Sequence, residues 1–263
     1  MTIGNMRKLA GLIESVELAY RMQGDMPGVM DLNKESDATR RLYGIGENIT
    51  DDLGRKCLLA RRMVEAGVRF VEINHGDWDH HFNLSQTLPA NCAAIDRPLR
   101  GLLTNLKSRG LLKATLVIWG GEFGRTPHAE GQDGRDHHVK GFSLSCYAPK
   151  SPFHTKKFWR VVSGVRGEAL QQQHPSPAVP IMNLGSGSAG LGMAGCGVKA
   201  STSFGVTDDY GYDVVDGKVS IHDWHATILH LLGLDHENLT YRHAGRDFRL
   251  TDVYGRVVRE IVA

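Results

Sequence analysis

Cysteine is scarce in this 263-residue chain: Cys57, Cys92, Cys146 and Cys196 stand far apart and form no CxxC pair. That spacing excludes a disulfide framework and a cysteine-built zinc site. Strong charge is also lacking. The formal balance is +2 with no basic block, so nucleic acid and membrane surfaces are not expected partners. No apolar run approaches the roughly 20 residues of a membrane-crossing helix. No signal-peptide pattern stands at the N-terminus, and the chain as encoded is expected in the cytoplasm. The glycine-rich stretch 185–197 contains no GxxxxGK[ST] and follows no clear strand, which removes a nucleotide phosphate loop. The absence of GxSxG removes the nucleophile elbow of a serine hydrolase.

What the chain does have is histidine, thirteen in all, several beside carboxylates where metal or acid–base chemistry needs them. Two clusters stand out, His75-Gly76-Asp77-Trp78-Asp79-His80-His81 and Glu122-Phe123-Gly124-Arg125-Thr126-Pro127, the second running on to Gly134-Arg135-Asp136-His137-His138. Each follows an apolar, β-branched run, at 68–73 and 115–119, and a helical stretch from about 86 to 109 separates them. A strand, a crossover helix and a parallel strand deliver both exits to the same sheet edge. Ligands of open α/β sheets bind at that edge. The two clusters are therefore expected to meet.

In an extended loop, side chains at i and i+2 share a side, so Asp79 and His81 can reach one ion. Carboxylate plus imidazole suits zinc, manganese or iron, and carboxylate-rich sites also take magnesium or calcium. The competing reading is a solvated polar loop with Trp78 anchored in the core. Glu122 stands where a strand ends, as a ligand or as a turn cap. Arg125 can clamp an oxyanion or pair with Glu122 or Asp136. Asp136-His137 is a further acid–imidazole pair. His222, Asp223 and His225 look like another cluster, but Asp223 has a sufficient role as a helix cap.

Helices are expected over 4–22, ended by Gly24–Gly28, and over 36–43, capped by Ser36 or Asp37. Another is expected over 50–66, with Thr50 or Asp51 as cap and Gly67 as stop. Leu53, Leu58, Leu59, Met63 and Val64 of that helix should face inward, and Arg55, Arg61 and Arg62 should stay in water. Cys57 and Cys92 read as small buried thiols. From 145 to 192 the chain turns rich in Pro, Ser, Gly and Gln, with only Phe158–Val162 suggesting a strand. That segment is expected to be an insertion. A hairpin region over 204–219, a helix from Asp223 to Leu232 and a last helix over 251–262 follow.

The runs Cys57–Val71, Trp78–His81, Glu122–Pro127, Gly134–His138, Asp223–Leu234 and Gly245–Arg249, in this order, resemble an uncharacterised sulfatase-like family, domain of unknown function 1501. The resemblance covers nearly the whole chain except 145–192. It implies a branch of the alkaline phosphatase/sulfatase superfamily, hence a three-layer α/β/α fold with a mostly parallel sheet and a metal site at the carboxyl edge. One loop of that superfamily supplies an Asp and a His, matched here by Asp79 (or Asp77) and His81. A strand-end pair of ligands follows, at Glu122-Phe123, where phenylalanine replaces the expected imidazole. A downstream histidine is matched by His137. The resemblance also implies a first strand and nucleophile loop that nothing before Gly4 supplies, so the fold is expected to be incomplete at its N-terminus. Relatives often carry export signals there.

The expectation is thus a single partial sulfatase-like α/β domain over 1–263, with an insertion or disordered loop at 145–192. Asp79, His81, Glu122, Asp136 and His137 are assigned to a divalent ion (zinc, calcium, magnesium or manganese), and Arg125 to the oxyanion of a small anionic ester. The function implied is metal-dependent hydrolysis of phosphate or sulfate esters, with no nucleophile assigned. The alternatives are a non-catalytic binding or structural domain with a degenerate metal site, and a truncated product whose missing strand exposes apolar edges.

Overall fold

The computed structural model describes residues 26–121, 124–140, 144–147, 179–183, 191–199 and 202–263, with isolated positions between 13 and 24. The helix expected over 4–22 lies largely outside these. Residues 26–30 are helical, so the chain does not stop at Gly24–Gly28 as expected.

Helix α1, Asp37–Leu42, starts at Ser36, whose hydroxyl accepts from the Thr39 N–H at 3.1 Å. Helix α2, Asp51–Glu65, follows Thr50, whose hydroxyl turns back to the Gly44 carbonyl (2.7 Å) instead of capping the helix. A left-handed Gly67 (φ +88°) ends its turn. Strand β1, Phe70–Asn74, leads to the first histidine cluster. Helix α3 then runs through Leu84–Ser108 and tolerates Pro89 and Pro98 in its interior, each at the loss of one ladder donor. Strand β2, Val117–Gly120, leads to the second cluster.

Strands β5 (Leu144–Tyr147), β6 (Val179–Asn183) and β7 (Leu191–Ala194) complete a mixed sheet in the order β1-β6-β2-β7-β5. Both β1 and β2 run parallel to β6, which lies between them, while β7 is antiparallel to β2. The segment expected as an insertion, 145–192, therefore contributes most of β5, all of β6 and the start of β7. Phe158–Val162 lies outside the described residues.

Alternation along β2 divides the core. Val117 and Trp119 join Tyr43, Leu53, Leu58, Leu99, Leu102 and Leu106 on the face covered by α2 and α3. Leu116, Ile118 and Met193 pack on the opposite face against Trp224 and Leu231 of α4 (Ile221–Leu231), with Val258 and Ile261. Glycine permits the closest approaches. A Cβ on Gly101 would lie 2.9 Å from the Leu42 carbonyl oxygen, so only hydrogen lets α3 seat against the end of α1.

Several local expectations give way to tertiary context. Arg61 is 2% exposed rather than wet, because Glu35 (2.6 Å) and Glu65 meet its guanidinium inside the core. Cys57 is buried, but Cys92 faces solvent. Ser220, not Asp223, caps α4, and Asp223 is the other half of a capping box. The last helix is reduced to a 3-10 turn over Arg259–Ile261. A hairpin does form within 204–219, from β8 (Val206–Thr207) and β9 (Val214–Asp216). Among the described residues no helix is long and apolar enough to cross a membrane.

Candidate metal centre

Because β1 and β2 share the direction of β6, their carboxyl ends open on one edge. The loop after β1 is pinned by its alternation. Trp78 and His80 turn inward, 6% exposed each, and Asn91 reaches from α3 to the Asp77 carbonyl and the His80 ring. Asp79 and His81 point outward together, as the i, i+2 spacing predicts. Two successive short-range bonds, His80 N–H to Trp78 O (3.1 Å) and His81 N–H to Asp79 O (3.0 Å), tighten the loop there.

After β2 the chain forms a two-residue ribbon, β3 (Gly124–Arg125) with β4 (His137–His138). Arg125 stands opposite His137, and cross-strand partners share a face. Both reach Asp79. His137 Nε2 lies 2.9 Å from Asp79 Oδ1, and His81 Nε2 lies 3.1 Å from that oxygen and from His137 Nε2. Asp79, His81 and His137 thus offer one oxygen and two nitrogens within 4.8 Å of one another. On the ribbon's other face His138 Nε2 donates to the Tyr212 carbonyl at 2.6 Å, tying the ribbon to the 204–219 region.

The loop closing the ribbon locks onto the first cluster. The Arg135 N–H donates to the His80 carbonyl (3.0 Å) and the Leu84 N–H to the Asp133 carbonyl (3.0 Å). The Asp133 carboxylate also caps α3, accepting from the Ser85 N–H (3.1 Å) and hydroxyl (2.7 Å). Gly134 lies against the chain at His81, where a Cβ would come within 1.8 Å of the carbonyl oxygen. This packing brings Glu130 Oε2 to 2.6 Å from His81 Nδ1. Sequence reasoning missed Glu130, which stands in an Ala129-Glu130-Gly131-Gln132-Asp133-Gly134 run that reads as a solvated turn.

Charge follows geometry. Asp79 is pulled down to about 2, by the hydrogen bond from His137 first and by Arg125 as well. The Glu130 carboxylate raises His81. Burial lowers His80.

Of the expected ligands, Asp79, His81 and His137 come together. Asp136 lies beside them, with Oδ1 accepting its neighbour's backbone N–H (2.7 Å), and belongs to a second grouping with His81 and Glu130. Glu122 lies outside the described residues. Arg125, expected to face an oxyanion, has its side chain 8% exposed, and its guanidinium bonds Asp79, the Arg135 carbonyl (2.7 Å) and the Trp78 carbonyl (3.3 Å). His222 packs on the Tyr254 ring, and Asp223 receives the Ser220 and Arg256 backbone N–H groups.

The donor set fits a divalent cation. One carboxylate and two imidazoles leave a fourth position free, as catalytic zinc sites do. Bonds of 2.0–2.1 Å place tetrahedral ligands about 3.4 Å apart, so the observed 2.9–3.1 Å requires spreading by a few tenths of an ångström. Asp79, His81 and His137 retain 46%, 29% and 37% side-chain exposure, which leaves the open position within reach of solvent.

A family profile described as "Protein of unknown function (DUF1501)" matches residues 2–146 and 188–262. The chain belongs to this family. The DUF1501 match takes in both histidine clusters, the ribbon and α4, and it omits 147–187, where β6 lies. Comparison with curated proteins and with solved structures returned no match.

Proposed function

We propose that this chain is a metal-dependent hydrolase-like domain acting on phosphate or sulfate esters, built on an alkaline-phosphatase-like α/β/α fold. The observation that carries the reading is the meeting of Asp79, His81 and His137, three donors from two distant loops, at the carboxyl edge of parallel strands. A divalent ion held there supplies Lewis-acid stabilisation of charge developing on an ester oxygen. The chain's own residues prepare the place. Arg125 holds Asp79 ionised and fixed, His137 and His81 present nitrogen from two different loops, and the ribbon's bond to Tyr212 keeps His137 in register.

A second reading, a metal-holding domain without turnover, is favoured by Arg125, whose fork is engaged by Asp79 and two backbone carbonyls rather than turned outward. One experiment separates the two. Protein stripped with chelator and reloaded with zinc or manganese is expected to retain stoichiometric metal, and Asp79→Ala, His81→Ala and His137→Ala to lose it. Metal-dependent turnover of 4-nitrophenyl phosphate or sulfate supports the hydrolase. Loaded but inert protein selects the second reading, and folded protein that retains no metal overturns both.

A further inference from the structure

His81 belongs to two ligand groupings at once, Asp79–His81–His137 and His81–Glu130–Asp136. One neutral imidazole has a single lone pair to give, so it serves one of them. The 2.6 Å contact decides which. A carboxylate only accepts hydrogen bonds, and of the two carboxylates that face His81 Glu130 lies closer to Nδ1 (2.6 Å) than Asp79 does to Nε2 (3.1 Å), so Nδ1 carries the proton of the neutral ring and the lone pair sits on Nε2, on the side of Asp79 and His137. Asp136 is turned to the backbone N–H of His137. The rest of the loop is built to hold Glu130 in place. A bridge between Glu130 and Gly134, Gly134 pressed against the chain at His81, and Asp133 on the start of α3 fix it from three directions.

We propose that Glu130 is a positioning residue that sets the tautomer and ring orientation of His81, so that this centre takes one ion rather than two. The inference rests on the metal-site reading above and deepens it. Carboxylates that accept from the far nitrogen of a ligating histidine typically govern metal affinity by 10–100-fold.

The test uses zinc titrated calorimetrically into chelator-stripped full-length protein, together with long-range imidazole ¹H–¹⁵N spectra of the metal-free protein at a pH where His81 is neutral. One zinc per chain is expected. Glu130→Gln and Glu130→Ala should weaken it by about 10–100-fold with the stoichiometry still one. The spectra should show His81 protonated at Nδ1, and this preference should be lost in Glu130→Ala. A stoichiometry of two that falls to one in Glu130→Ala would make Glu130 a ligand and overturn the proposal, as would unchanged affinity. If the wild type binds no zinc, the metal reading fails. In that event the spectra still judge Glu130 itself, and an Nε2-protonated His81 overturns its role.

Discussion

Arg125 and Glu35 show how single charged residues are used here. Arg125 is nearly buried and bonds Asp79 and two main-chain carbonyls. Removing it leaves these acceptors without that partner, and Arg125→Ala is expected to destabilise the fold by about 2 kcal/mol in urea unfolding. Lysine should not restore the loss, because one ammonium cannot reproduce the fork. Zinc affinity should fall as well, since Asp79 loses the guanidinium that holds it ionised and in place. A fall in kcat/KM at unchanged stability would instead show Arg125 facing the substrate. Glu35 bonds Arg61 (2.6 Å) and Arg62 (2.5 Å). Burial alone would raise its carboxyl, yet the hydrogen bonds and charges of Arg62 and Arg61 outweigh burial and hold it below the usual 4.5. Its ionised form therefore stabilises the fold above pH 4.5, and that contribution drains away as pH falls through the lowered value. Glu35→Gln is expected to cost about 3 kcal/mol at pH 7 by stranding part of the Arg61 charge, with the gap from wild type narrowing in melts taken toward pH 3. The meeting of Asp79, His81 and His137 was legible in the sequence because a strand, a crossover helix and a parallel strand bring both loops to one sheet edge. Glu130 was not legible, because its partner is 49 residues away and its surroundings look like any exposed turn. Arg61 was misplaced for a related reason: nothing local shows that Glu35 will come to meet it.

At the scale of elements, the ribbon β3–β4 and its closing loop matter more than their length suggests. Two paired residues cannot hold a geometry alone, so the loop borrows rigidity from α3 through Asp133 and from the first cluster through Arg135. Gly134 is where this borrowing is tightest. Gly134→Ala puts a methyl 1.8 Å from the His81 carbonyl oxygen, and relief requires the two loops to separate. Zinc affinity is expected to fall at least tenfold while the main unfolding midpoint moves by only a few degrees, as read by calorimetric titration and thermal melts. A large drop in midpoint at unchanged affinity would place the strain elsewhere. From residue 36 to 232 helix identities were legible from apolar spacing and caps, with ends shifted by a residue or two. The final helix was not. Val258 and Ile261 are buried against α4 by tertiary packing that a 3-10 turn satisfies.

For the whole molecule, the strand order is the least legible feature. Hydrophobic runs mark β1 and β2 as strands and the intervening helix makes them parallel, but nothing in either run reveals that β6 lies between them. Pairing partners are chosen in space, and β6 comes from a stretch whose composition reads as loop. Its position has a consequence for the site. With β6 interposed, the exits of β1 and β2 are two strand spacings apart, roughly 10 Å, and the two loops must converge above β6 for Asp79 to meet His137. DUF1501 matches 2–146 and 188–262 without the segment that contains β6. Deleting 148–187 from this chain removes the strand that pairs β1 over five residues and β2 over three. Left with unpaired ladder edges in the middle of the core, the variant is expected to lose cooperative urea unfolding and zinc binding together. Survival of both, with an m-value close to wild type, would mean that β1 and β2 close directly on each other, halving the distance their loops must span. The metal centre would then belong to those loops and not to the sheet order beneath them.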